Sequence, residues 1–138
     1  MKKLKFAKPK KVSISKAKAK AWKAFSLYIR TKYASPFGDV ICYTCGKNFK
    51  IKTVQAGHGI AGRNNAILFE EKLVRCQCLG CNYFGGGKYA IFTRKLIDEL
   101  GLQEYDRLVT QATQTVKRTA QDYLEIEKTY KEKLRQLS

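Results

Sequence analysis

Cys42, Cys45, His58, Cys78, Cys81 and Asn82 are the residues whose types and spacing could do chemistry. Two CxxC pairs offer four thiolates, the ligand set of a tetrahedral zinc site. The bland alternative is ordinary thiols, but two such pairs in a short basic chain favour Zn2+. A closed four-thiolate site leaves no position for water, so this zinc is read as structural. Cys76 would break the CxxC spacing and is left unligated, and a site of three cysteines with His58 is the alternative. With zinc served by sulfur, the only histidine is free to take a proton from water near neutral pH. Asn82 directly follows the last cysteine, and its amide oxygen suits a hard cation, Mg2+ or Mn2+. Such a cation ordinarily also takes a carboxylate, and Glu70 and Glu71 are the nearest in sequence, with Asp39 farther off. The structural alternative for Asn82 is a helix N-cap. A base and a cation ligand together are what phosphodiester hydrolysis needs.

The charge balance says what the phosphodiester would belong to. Lys and Arg number 28 against 11 Asp and Glu, a formal net charge of +17 in 138 residues. A field of this size calls for a polyanionic partner, because each phosphate neutralised releases condensed counterions. An acidic membrane surface is the weaker explanation, since no long apolar run or lipidation motif is present. The basic N-terminus lacks the apolar run of a signal peptide, so a reducing, cytoplasmic setting is expected. One histidine and no nucleophile elbow give no support for a Ser-His-Asp set. No phosphate-binding P-loop or dinucleotide fingerprint occurs.

The elements that must position these residues follow from the patterning. Residues 1–32 carry twelve Lys or Arg and no acid. Residues 1–14 read as a basic flexible arm and 15–34 as a basic amphipathic helix capped by Ser15. Ala21, Trp22, Phe25, Tyr28, Ile29 and Tyr33 would form its buried stripe, with Lys16, Lys18, Lys20 and Lys23 on the other side. Residues 35–101 read as the zinc-bound core. Val40-Ile41 leads into the first knuckle, with Gly46 in the tight turn behind it. Phe49 to Val54 alternates like a strand, and 55–68 reads as a polar loop around His58. Gly85-Gly86-Gly87 is a hinge or a close backbone approach. Tyr89 to Leu100 reads as a helix stopped by Gly101. In the segment 102–138 a short helix near 103–112 precedes a longer one opened by a capping box at Thr119 and Asp122. Tyr123, Tyr130 and Leu137 repeat every seven residues there. Packing on its own domain is the expectation, with a coiled-coil dimer as the alternative. The fold class is α+β, one small domain with helical additions.

The order CxxC, His, CxxCN resembles the treble-clef, ββα-metal (His-Asn-His) nucleases, and phage endonuclease VII has the same arrangement. Closer is the similarity to the phage Rap/NinG recombination endonuclease family. Phe25-Ser26-Leu27-Tyr28-Ile29-Arg30 resembles its FSxYIR segment, and Cys42-Tyr43-Thr44-Cys45-Gly46 its CxxCG. Ala56-Gly57-His58 resembles its AGH, and Phe69-Glu70-Glu71 its F-acid-E element. Gln77-Cys78-Leu79-Gly80-Cys81-Asn82 resembles its QCxxCN. The likeness runs in order over about residues 20–135. It implies a Holliday-junction or D-loop endonuclease of phage recombination, working in the host cytoplasm. It assigns His58 as base, Asn82 as metal ligand and the four knuckle cysteines to zinc. Three departures stand out. Gly57 occupies the place where many His-Asn-His nucleases carry an acid. Leu73-Val74-Arg75 replaces Asn-Val-His, and Gly85-Gly86-Gly87-Lys88 replaces Ser-Gly-Asn.

The resulting expectation is a metal-dependent endonuclease of HNH type that cuts branched DNA. His58 and Asn82 would be catalytic, and Asn82 would hold the catalytic metal with Glu70 or Glu71. Arg63, Arg75 and Lys88 would neutralise neighbouring phosphates, while Lys16, Lys18, Lys20, Lys23 and Arg30 grip duplex arms. A homodimer would match the symmetry of a junction. The alternative is a non-catalytic zinc-containing DNA-binding module. A third reading is an interaction protein working through the C-terminal helix.

Overall fold

A computed structural model describes residues 11–138. The expected basic arm falls mostly outside the described residues. Helix α1 spans Ile14–Lys32. Its cap is Ser13, not the expected Ser15: the Ser13 hydroxyl accepts the Lys16 N–H at 3.2 Å, and Ser15 lies exposed within the first turn. The buried stripe of α1 is Ala17, Ala21, Ala24, Phe25, Tyr28 and Ile29. Trp22 is only half-buried. Tyr33 is the exposed C-cap, because the helix has already ended at Lys32.

After α1, the Ser35 hydroxyl turns the chain by accepting the N–H groups of Phe37 and Asp39. Strands β1 (Asp39–Ile41) and β2 (Asn48–Lys50) form an antiparallel hairpin that holds the first knuckle at its tip. Gly46 closes that knuckle at φ 75°, a conformation glycine adopts without steric cost. The single strand expected over Phe49 to Val54 is broken. A 3-10 turn, Ile51–Thr53, separates β2 from β3 (Val54–His58). Strand β3 pairs antiparallel with β4 (Val74–Cys78) in the register Val54 to Cys78 and His58 to Val74. His58 therefore ends a strand instead of sitting within a loop, and the connection runs from Gly59 to Glu70.

The second knuckle continues into one π-helical turn, Gly80–Phe84, which contains Asn82. Asn82 is thus not a helix N-cap. Helix α2 (Tyr89–Leu100) ends at Gly101 with φ 87°, and α3 (Leu102–Ala112) follows at once. Helix α4 (Ala120–Gln136) opens on the complete Thr119–Asp122 capping box. Of its heptad residues Tyr123 and Tyr130 are buried, while Leu137 is exposed beyond the end of the helix.

Two main apolar clusters and a smaller one around Tyr123 hold the fold. In the larger, α1 packs on α4 and on both strands of the β3–β4 ribbon. The small Ala17 and Ala21 admit the ring of Tyr123, and Phe25 meets Tyr130 edge-on with centroids 4.8 Å apart. Full burial of a side chain like Phe25 contributes about 1.5–3 kcal/mol. The second cluster joins Phe92 and Leu96 of α2 to Leu108 of α3, Ile67 and Leu73. The C-terminal helix is therefore part of the domain's own core, in line with the intramolecular expectation.

Candidate active site and metal centre

The four knuckle cysteines converge. The Sγ atoms of Cys42, Cys45, Cys78 and Cys81 all lie within 4.8 Å of one another, and Cys45 Sγ is 3.9 Å from Cys78 Sγ. Four thiolates at ~2.3 Å from one zinc would sit about 3.8 Å apart, so the set fits. The surroundings favour thiolate at Cys42 alone, while burial pushes the Cys45, Cys78 and Cys81 thiols up. Burial pushes the Cys42 thiol up, but the N–H groups of Cys78, Cys45 and Thr44 and the Thr44 hydroxyl more than offset this, leaving it at about 6. The Cys78 N–H reaches Cys42 Sγ at 3.3 Å, and the Cys81 N–H reaches Cys78 Sγ at 3.4 Å. Cys76, two residues before Cys78 in β4, packs under α1, where its Sγ lies 3.7 Å from the Ile29 carbonyl and burial pushes its thiol up to about 12. It is a core residue, and His58 is not part of the sulfur cluster.

His58 ends β3 and is buried, 6 % exposed, which corrects the expectation of a solvated loop histidine. Its Nε2 lies 3.0 Å from the Leu68 carbonyl oxygen. A carbonyl only accepts, so Nε2 carries the proton and Nδ1 keeps its lone pair. Burial, reinforced by the Arg63 charge, pushes the imidazole below its ordinary value and keeps it neutral, although the Leu68 hydrogen bond acts the other way. Trp22 of α1 stacks on the imidazole, with centroids 5.3 Å apart and planes 20° from parallel. The Arg63 guanidinium lies over the same indole, 4.5 Å from its centroid. Arg63 itself is held at φ 44°, an uncommon conformation for a residue with a Cβ.

Asn82 lies beside Gly57, the residue before His58 in β3; side chains alternate along a strand, so Gly57 turns toward Asn82 from the face opposite the His58 ring. A Cβ on Gly57 would lie 3.2 Å from Asn82 Oδ1 and only 2.0 Å from Gln77 Oε1. The slot that an acid before the histidine would need is therefore filled by the Gln77 amide. Gln77 is held there by donating to the Gly87 carbonyl at 2.9 Å and to the Thr44 hydroxyl at 3.1 Å. Because the Gly87 carbonyl must receive N–H, the Gln77 oxygen faces Gly57, where it is buried without a hydrogen-bond donor. Gly87 thus serves as a close backbone approach. The Asn82 amide donates to Gln55 Oε1 at 2.7 Å, which leaves Asn82 Oδ1 as an acceptor.

A polar cleft of about 330 Å³ lies between α1 and β3, lined by Trp22, Ser26, Arg30, Gln55, Arg63 and Asn82 among others. No carboxylate among the described residues lines it. Glu71 is committed elsewhere. Its carboxylate accepts from Tyr130 Oη at 2.9 Å and Lys133 Nζ at 2.8 Å, and Lys32 Nζ lies at 3.9 Å. Glu70 accepts from Gln111 Nε2 at 3.2 Å. The expected Glu70 or Glu71 metal ligand is thus not brought to Asn82. Of the donors proposed for Mg2+ or Mn2+, only Asn82 fits, so a preformed divalent site with a carboxylate is absent among the described residues.

The basic residues divide in the same way. Arg30 and Arg63 face the cleft, and Lys16, Lys20, Lys23 and Lys88 are exposed. Lys18 is half-buried, with its Nζ on Asn65 Oδ1 at 2.9 Å. Arg75, expected on a phosphate, is 4 % exposed. It donates to the Glu71 and Val74 carbonyls, pairs with Glu99 at 3.2 Å, and lies 5.5 Å from the Tyr33 and Tyr43 rings. Its role is structural. A larger cavity of about 850 Å³ adjoins Arg75, Tyr33, Tyr43 and Glu99 and includes neither His58 nor Asn82.

Sequence reasoning missed Trp22 as a cover for His58 and Gln77 as the occupant of the Gly57 slot. The only signal was the glycine itself, in a strand otherwise fit for side chains. No helix among the described residues is long and apolar enough to cross a membrane. No curated protein and no solved structure matches the chain. One family does match, over residues 1–138, and its description is the bacteriophage lambda NinG protein; the chain belongs to this NinG family.

Proposed function

We propose that the chain is an endonuclease of phage recombination that cuts branched DNA by hydrolysis of a phosphodiester bond. The observation that carries this reading is a single polar cleft lined by Asn82, Arg30 and Arg63 and by Trp22, whose ring stacks on His58. His58 is neutral, and its free Nδ1 takes the proton from the attacking water. Arg30 and Arg63 hold a backbone phosphate in the cleft, and the Lys-rich face of α1 engages the adjoining duplex. A Mg2+ or Mn2+ ion with Asn82 as its protein ligand would neutralise charge developing on the phosphate. The zinc knuckles fix the turn that carries Asn82, which supports a treble-clef, His-Asn-His reading of the core. A homodimer would place two such sites on opposed strands of a junction.

Two observations favour the second reading, a zinc-containing module that binds DNA without cutting it. His58 is covered by Trp22, and the cleft offers no carboxylate. A nicking assay on a four-way junction with Mg2+ or Mn2+ separates the two. Cutting by the wild type, lost in His58→Ala while DNA binding persists, supports the nuclease.

A further inference from the structure

Tyr83 and Phe84 follow Asn82 directly and are left in water, 72 % and 76 % exposed. They touch one another edge-on, with ring centroids 5.1 Å apart and planes at 90°. Two exposed aromatic rings side by side are unusual on a soluble surface, because each offers roughly 150–250 Å² of area that burial would reward. The turn beneath them is hydrogen-bonded within itself. The Gly87 N–H donates to the Cys81 carbonyl at 3.0 Å and the Gly86 N–H to the Tyr83 carbonyl at 3.4 Å. Gly86, Gly87 and Lys88 all have positive φ, at 66°, 92° and 50°, and turn the chain sharply away behind the rings. Cys81, a proposed zinc ligand, anchors one side of the turn and the Gln77 bond to Gly87 the other.

The charge around the pair selects the partner. Asn82, the residue before the pair, lines a cleft with Arg30 and Arg63 and no carboxylate among the described residues, and the exposed Lys88 lies in the same turn, its Cε against Gly85. A protein partner with an apolar patch would gain nothing from that field, whereas DNA would. Paired bases inside a duplex are already stacked, and only a base unstacked at a branch or a single strand presents a free face to an aromatic ring. Apolar side chains that insert at a base step also exploit sites where stacking is already broken.

We propose that the Tyr83–Phe84 pair is a stacking platform for an unstacked nucleobase at a DNA branch point, placed beside Asn82 so that cleft and branch are read together. This rests on the DNA-binding half of the proposed function and not on cleavage. The test uses the full zinc-loaded chain, a four-way junction with 2-aminopurine at the branch, and a linear duplex of the same sequence. Wild type is expected to change the 2-aminopurine emission and to prefer the junction. The double variant Tyr83→Ala with Phe84→Ala should lose that response and roughly tenfold of the preference, with duplex affinity and zinc content unchanged. Tyr83→Phe and Phe84→Tyr should behave as wild type. An unchanged response and preference in the double variant would overturn the inference, as would equal losses on junction and duplex. A shift from dimer to monomer with the response intact would assign the rings to an interface between copies instead. Failure of the wild type to bind either DNA would remove the DNA reading itself.

Discussion

Trp22 lies against His58 with ring centroids 5.3 Å apart and planes 20° from parallel, so the only histidine in the chain is covered by its only tryptophan. Burial is the main reason the imidazole sits below its ordinary value of 6.5. Removing the cover should therefore raise it. In Trp22→Ala the His58 titration, followed by the single histidine Cε1 proton resonance, is expected to move up toward 6.5. The sign for stability follows. A histidine depressed in the folded state is protonated first in the unfolded chain. Its contribution is therefore complete above 6.5 and lost as pH falls through the folded value. Wild type should lose stability across that window more steeply than Trp22→Ala, and equal titrations would show that the stack does not govern His58.

Zinc should bind one per chain. Cys42→Ala, Cys45→Ala, Cys78→Ala and Cys81→Ala should each lose it. Cys76→Ala should retain full zinc and lose only about 1 kcal/mol of stability, as expected for a small core truncation. Metal analysis of purified protein with thermal unfolding checks this, and zinc loss in Cys76→Ala would contradict the assignment.

Gly57 and Gln77 form a steric pair. Gly57→Ala places a Cβ 2.0 Å from Gln77 Oε1 and should cost about 1–3 kcal/mol, the range for overpacking. Shortening the partner should relieve it. The combination of Gly57→Ala with Gln77→Ala is expected to be less destabilised than the sum of the two single variants, measured by denaturant unfolding.

Arg63 and Arg75 should fail in different ways. Arg75→Ala removes the ion pair with Glu99 and empties the buried space beside Tyr33 and Tyr43, so it should destabilise the fold. Arg63→Ala should leave folding nearly unchanged and weaken DNA binding with a smaller salt slope. Unfolding midpoints and binding at two salt concentrations separate them.

What could be read ahead of the structure was whatever depends on short spacing. Each CxxC pair, α2 with its Gly101 stop and the Thr119–Asp122 box span only a few residues, and the structure keeps the last two and brings the four cysteines of the two pairs together. What could not be read depends on residues brought together from afar. Trp22 reaches His58 only because α1 packs over β3. Arg75 looks like any basic residue until Glu99 of α2 is placed beside it. Glu71 follows the pattern of a site acid, yet Tyr130 and Lys133 of α4 occupy it. The cap moved from Ser15 to Ser13 because two serines compete within two residues, a distinction that local preference does not resolve.

The most direct measurement is cleavage of a four-way junction by purified zinc-loaded protein with Mg2+ or Mn2+, comparing wild type with His58→Ala and Glu71→Gln. Wild type is expected to cut, Glu71→Gln to cut at reduced thermal stability, and His58→Ala to bind without cutting. No cutting by wild type with either metal, or undiminished cutting by His58→Ala, would contradict it.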